Sequence, residues 1–120
     1  MPTDLEILRT YSAMAQHAAK RHEVLAGNIA NADTPGYKAQ DLKSFAELYK
    51  AAERQGRDVE ITTSDLVRVA SRGAESPNGN NVSIEDQMLK TAETKGQHDM
   101  ALAVYKKTLD LMRLSLGSSR

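Results

Sequence analysis

The 120-residue chain has no cysteine, no tryptophan and only three prolines, and its aromatic residues are one phenylalanine and four tyrosines. The missing cysteine excludes disulfides, thiolate nucleophiles and cysteine-ligated metals. A chain this poor in bulky side chains buries little apolar surface when folded alone. Net charge is also lacking, since 16 Lys and Arg face 16 Asp and Glu. That balance sets up no long-range field to steer nucleic acid or an anionic membrane surface. No apolar run reaches the length of a membrane span. The opening Met1-Pro-Thr-Asp-Leu-Glu6 has neither a basic n-region nor an apolar h-region. Export, if it occurs, is expected by a route that reads no cleaved signal peptide.

Sites of chemistry are equally scarce. His17 and His22 stand five apart, the wrong interval for two ligands on one helical face, and no HExxH occurs. Glu85 and Asp86 fall in the first turn of an expected helix, where they complement its dipole. Nucleophile elbow, Walker loop and dinucleotide glycine motifs are all missing. The adjacent basic pairs Lys20-Arg21 and Lys106-Lys107 suit solvated helix faces. These absences argue against an enzyme, a cofactor, a metal site and a nucleic-acid partner.

Periodicity is what the chain does have. Thr3 and Glu6 form a capping box. Leu8, Tyr11, Ala15, Ala18, His22, Leu25, Ile29 and Ala32 then recur at alternating spacings of three and four, the seam of a coiled coil. The spacing predicts a helix over 3–32, with Arg9, Gln16, Lys20, Arg21 and Glu23 on its wet face. Leu42, Phe45, Leu48, Tyr49 and Ala52 predict a short amphipathic helix over 41–54. In the variable middle, 56–81, alternation at Val59-Glu-Ile61 and Leu66-Val-Arg-Val69 suggests a small hairpin around Thr63-Ser-Asp65. Ser76-Pro-Asn-Gly-Asn-Asn81 is nearly all turn-forming. With Ser83 as N-cap, a second helix is predicted over 83–116. Its seam is Ile84, Met88, Thr91, Lys95, His98, Leu102, Tyr105, Leu109, Met112 and Leu116, and Gly117 stands where a C′ glycine belongs.

The stretch Leu25-Ala-Gly-Asn-Ile-Ala-Asn-Ala-Asp-Thr-Pro-Gly-Tyr37 organises the rest. Pro35-Gly36 suits the centre of a type II turn over 33–37, because Pro fixes φ and Gly accepts a positive value. Small residues before it (Ala26, Gly27, Ala30, Ala32) permit close backbone approach. Asn28 and Asn31 have two readings. They are a helix cap plus a solvated residue, or a pair of hydrogen-bonding positions in a packed interface.

Asn28-Ile-Ala-Asn-Ala-Asp-Thr-Pro-Gly-Tyr37 resembles the N-terminal signature of bacterial flagellar axial proteins, the rod, hook and hook-associated subunits. Residues 21–41 are similar to the opening block of the proximal-rod subfamily. Gly79-Asn-Asn-Val82, Glu85-Asp-Gln-Met88 and Ala92-Glu-Thr94 look like its closing block. The sister, FlgC-like, rod subfamily shares the opening more than the closing block. The resemblance implies a mainly α fold in which the long N- and C-terminal helices pair as a coiled coil. A short middle helix and an irregular loop or small β-hairpin lie between them, all in one rod-type domain. It also implies a non-enzymatic subunit of the basal-body rod, in a helical tube transmitting torque from membrane ring to hook. Implied partners are copies of itself, FlgC-like rod proteins, a FliE-like adaptor and the flagellar type III export apparatus, with no membrane insertion. Assembly contacts are expected at Leu25, Ala26, Asn28, Ile29, Ala30, Asn31, Thr34, Pro35, Gly36 and Tyr37. On the second helix they are expected at Leu102, Tyr105, Leu109, Met112 and Leu116. The alternatives are another, FlgC-like, rod subunit and a free-standing helical regulator or chaperone, which the same heptads permit.

Overall fold

The computed structural model describes residues 3–69 and 75–118, so residues 70–74 of the expected variable middle lie outside it. Helix α1 spans Asp4–Ala30 and opens on the expected capping box, Thr3 Oγ1 accepting from Glu6 N–H and Glu6 Oε2 from Thr3 N–H. Strand β1 is Gln40–Leu42, helix α2 is Phe45–Arg54, strand β2 is Leu66–Arg68 and helix α3 is Ile84–Ser118. The two long helices pack on each other, and the described residues extend over 68 × 28 × 18 Å.

Their pairing is antiparallel. Asn28, near the end of α1, hydrogen-bonds Gln87, near the start of α3. Leu5 and Leu8 line one groove with Val104, Tyr105 and Thr108 at the other end. α3 is the longer helix, at 35 residues against 27, or roughly 50 Å against 40 Å at the α-helical rise.

On α1 the buried positions are Leu8, Ala15, His17, Ala18, Leu25 and Asn28. The expected seam therefore holds at Leu8, Ala15, Ala18 and Leu25, but not at every member. His22 is exposed, Ile29 is 38% exposed, and Asn28 takes the inner position. A straight helix drifts about 20° per heptad from a strict seam, so a fixed seven-residue stripe leaves the contact after a few turns.

On α3 the inner face is Gln87, Thr94, Ala101 and Thr108, spaced by sevens and one residue ahead of Met88, Lys95, Leu102 and Leu109 of the expected seam. Small polar side chains suit this face because they can bond their own helix. Thr94 Oγ1 donates to the Lys90 carbonyl and Thr91 Oγ1 to the Gln87 carbonyl, both at 2.7 Å. Met88 and Leu102 consequently face outward, 62% and 47% exposed. Gly117 lies within the last turn of α3 instead of ending it.

The middle departs from expectation in its pairing. β2 does not form a hairpin with Val59–Ile61. It pairs antiparallel with β1, Asp41 opposite Val67. A 3₁₀ turn at Thr63–Asp65, with Thr62 N–H donating to Asp65 Oδ2 at 2.9 Å, aims the chain back along the segment leaving the Pro-Gly turn. Because residues 40–42 are a strand, α2 begins at Phe45 and not at 41, with Ser44 as N-cap. Phe45, Leu48 and Ala52 are buried. His17 Nε2–H donates to the Lys43 carbonyl at 2.8 Å, and its ring meets Phe45 edge-on with centroids 5.8 Å apart.

Candidate functional site

The signature closes as its sequence requires. Tyr37 N–H donates to the Thr34 carbonyl at 3.2 Å across Pro35-Gly36, and Gly36 has φ +73°. That angle belongs to the region where a Cβ is strained, so glycine is the residue that fits. Asn31 caps α1 with φ −105° rather than in the left-handed conformation. Its Nδ2 donates to the Gly27 carbonyl at 2.8 Å, and its Oδ1 accepts from Thr34 Oγ1 at 3.0 Å.

Asn28 is the hub. It is fully buried and uses every hydrogen-bonding position of its amide. Nδ2 donates to the Gln40 carbonyl at 2.7 Å and to Gln87 Oε1 at 2.8 Å. Oδ1 accepts from Gln40 N–H at 3.0 Å and from the Tyr37 hydroxyl at 3.1 Å. The Gln40 backbone fixes which way the amide points, since its carbonyl only accepts and its N–H only donates. One side chain thus joins α1, the segment after the turn, β1 and α3. Sequence alone raised a hydrogen-bonded interface for Asn28, and the structure places that interface inside the chain.

The segment before α3 completes a polar clasp. Asn80, 2% exposed, donates through Nδ2 to the carbonyls of Asn31 (2.9 Å) and Thr34 (2.8 Å), and accepts Val82 N–H on Oδ1 at 2.9 Å. Asn81 Oδ1 accepts Ala39 N–H at 2.6 Å, its Nδ2 donates to the Val69 carbonyl at 3.1 Å, and its own N–H donates to the Tyr37 carbonyl at 3.2 Å. Gly36 N–H in turn donates to the Asn78 carbonyl at 2.9 Å. Gly79, at φ +84°, passes so close that an added Cβ would stand 3.5 Å from Gly36 Cα. Asn80, Asn81 and Gln87 were invisible as site residues in sequence. Their only signal was that Gly79-Asn-Asn-Val82 and Glu85-Asp-Gln-Met88 formed the second half of the resemblance.

A charged cluster backs the clasp. Arg21 grips Asp41 bidentately, Nε to Oδ1 at 2.9 Å and Nη2 to Oδ2 at 3.0 Å, and Lys90 Nζ stands 3.8 Å from Oδ2. Burial alone would push the Asp41 carboxyl up. The hydrogen bonds from Arg21 and from Leu42 N–H, with the charges of Arg21 and Lys90, outweigh burial and hold it below the usual carboxylate range. Arg21, expected on the wet face of α1, is instead a partly enclosed tie to β1 and α3. It is set there because the strand carrying Asp41 packs beside α1.

The expected assembly residues divide into two groups. Leu25 and Asn28 are interior, and Asn31 and Tyr37 are half-buried in the clasp. Ala26, Ala30, Thr34, Pro35 and Gly36 are exposed, as is part of Ile29. On α3, Leu102 and Leu116 are exposed, while Tyr105, Leu109 and Met112 are half-buried. Among the described residues, no group of three His, Asp or Glu is placed to hold a metal ion, and no helix is long and apolar enough to cross a membrane.

Comparison of the sequence with known proteins points to one family. Residues 10–38 match the model for flagella basal body rod proteins. A relative from Escherichia coli K12, the flagellar basal body rod protein FlgB, is 34% identical over 103 residues, covering 71% of this chain and 74% of the relative. The FlgB of Aquifex aeolicus is 38% identical over 98 residues, 78% of each chain. That of Agrobacterium fabrum is 27% identical over 125 residues, 93% of each.

Proposed function

Because the chain belongs to the family of FlgB-type flagellar basal body rod proteins, we propose that it is a proximal-rod subunit whose exposed apolar helix side chains are covered by neighbouring subunits. As a member of that family it is a structural, non-enzymatic component of the flagellar basal body rod. The relatives favour this role over a free-standing helical regulator. The finer reading places it in a helical tube between membrane ring and hook, beside copies of itself, FlgC-like rod proteins and a FliE-like adaptor. It travels there through the flagellar type III export apparatus and works in the periplasm.

The observation that carries this reading is the set of exposed apolar side chains on α3, on both sides of its inner face. Met88, Leu89, Met100, Leu102, Leu111 and Leu114 are each 45–69% exposed on one helix. Single exposed apolar residues are ordinary, but this many on one helix mark contact surfaces. The clasp explains why these side chains are left outside. Gln87 and Lys90 are held inward by Asn28 and Asp41, which fixes the rotation of α3.

Leu102→Asp tests it in cells lacking the native subunit. Asp on an exposed helix face leaves the monomer within about 1 kcal/mol of wild type, so the variant should be exported yet build no hooks. Hooks at wild-type number would remove the Leu102 side of α3 from the assembly.

A further inference from the structure

The turn before α3 carries chemistry that rod assembly does not use. Asn78 is followed by Gly79, and a glycine amide, with no side chain beside it, is the least hindered nucleophile toward a preceding Asn side chain. The other four asparagines precede Ile29, Ala32, Asn81 and Val82. We propose that Asn78 is a self-modification site governed by the clasp, held unreactive while residues 76–81 are docked on the 34–37 turn and released when they open. In the reaction, Gly79 N loses its proton and bonds to Asn78 Cγ. The Cγ–Nδ2 bond breaks and ammonia leaves, closing a cyclic imide. Water then opens the imide at either carbonyl, giving an aspartyl or an isoaspartyl linkage. Water is the only co-reactant.

The fold engages the reacting groups in other hydrogen bonds. Gly79 N–H donates to the Ser76 carbonyl at 2.8 Å, so the nucleophile's proton is engaged. Asn78 Oδ1 accepts Asn80 N–H at 3.1 Å, which fixes the side-chain carbonyl against Asn80 rather than Gly79. Ser76 N–H donates to the Asn80 carbonyl at 2.9 Å, closing the loop at its base. The Asn78 carbonyl accepts Gly36 N–H, and Gly79 lies against Gly36 Cα, so the loop cannot refold in place without moving the signature turn. Ring closure must therefore wait for local opening. The Asn78 side chain is itself exposed, leaving departing ammonia and incoming water free access.

The isoaspartyl product has consequences for the clasp. It routes the backbone through Cβ and Cγ and so adds an atom between Asn78 Cα and Gly79 N. Asn80 and Asn81 are then displaced along the chain from the Asn31, Thr34 and Ala39 groups they hold. An open chain that reacts this way does not close in the same register. The aspartyl product keeps the backbone length and an acceptor for Asn80 N–H, and closes normally.

The purified full chain is incubated in mildly alkaline buffer, folded and in denaturant. Peptide mass spectrometry follows the amide-to-acid conversion at Asn78, and enzymatic methyl labelling follows isoaspartate. The folded chain should convert at least about tenfold more slowly than the unfolded one, the factor that ~1.4 kcal/mol of opening free energy imposes. Asn80→Ala keeps Asn78-Gly79 intact but removes the bonds to Asn31, Thr34 and Val82. Provided circular dichroism shows it still helical, its folded-state rate should rise toward the unfolded one. Equal rates in folded and unfolded wild type, or an Asn80→Ala rate unchanged from wild type, would overturn the proposal.

Discussion

Replacing Asn28 by Leu removes the hub without changing side-chain volume much, and raises intrinsic helix propensity. Four groups lose their partner: the Gln40 N–H and carbonyl, Gln87 Oε1 and the Tyr37 hydroxyl. Gln87 is 2% exposed, and the Gln40 backbone is tied into β1, so at least the Gln40 N–H and Gln87 Oε1 are left enclosed and unpaired. At about 1–3 kcal/mol for each such group, the loss is about 2–6 kcal/mol. That is a large fraction of the roughly 5–15 kcal/mol that holds a small domain folded. Denaturant unfolding followed by helical circular dichroism measures it. Gln87→Leu, alone and combined with Asn28→Leu, isolates the pair, and a coupling of about 1–2 kcal/mol is expected between groups in direct contact. An Asn28→Leu chain within about 0.5 kcal/mol of wild type would refute the reasoning, since that is the range of an ordinary surface substitution. Rod assembly should fail in this variant as well, because the subunit loses its own clasp before it meets a neighbour.

The Asp41 carboxyl is held below its ordinary value, so its contribution is present above the unfolded carboxylate pKa near ~3.9 and is lost as pH falls through the lowered folded value. Asp41→Asn should flatten the stability–pH curve in that acid window and cost about 1–3 kcal/mol at neutral pH, less than a fully buried pair because both groups keep some water, as urea unfolding at a series of pH values would show. Gly79→Ala forces a Cβ into φ +84° against Gly36 and should cost about 1–2 kcal/mol, read as a lower unfolding midpoint. Ala on either side of the turn without such an angle would not.

Much of the fold was legible because it rests on local rules. The capping box, the Pro35-Gly36 turn and the apolar spacing of both long helices needed no tertiary knowledge. The strand pairing was not legible, because β1 and β2 are three residues each and are chosen by where the signature turn and the Thr62–Asp65 turn aim the chain. The rotation of α3 was misread for a related reason. Hydrophobic spacing located the stripe Met88, Leu102, Leu109, and the reading assigned it to the partner helix. Inside the chain, polar satisfaction decided instead, with Asn28 and Asp41 drawing Gln87 and Lys90 inward. The candidate site followed the same division. Its first half was visible in residues 28–37, while Asn80, Asn81 and Gln87 gained meaning only once the chain brought them 42 to 59 residues back onto it.

The central claim is that the exposed apolar side chains of α3 are buried between subunits in the assembled rod while the inner face is buried within each one. Because the chain has no native cysteine, Leu102→Cys introduces a single thiol among the exposed apolar positions of α3, and Thr94→Cys supplies the inner control. A hydrophilic maleimide applied to the free subunit should label the former and spare the latter. In intact basal bodies the Leu102→Cys thiol should become protected too. Labelling of that position in intact basal bodies at the free-subunit rate would contradict the account.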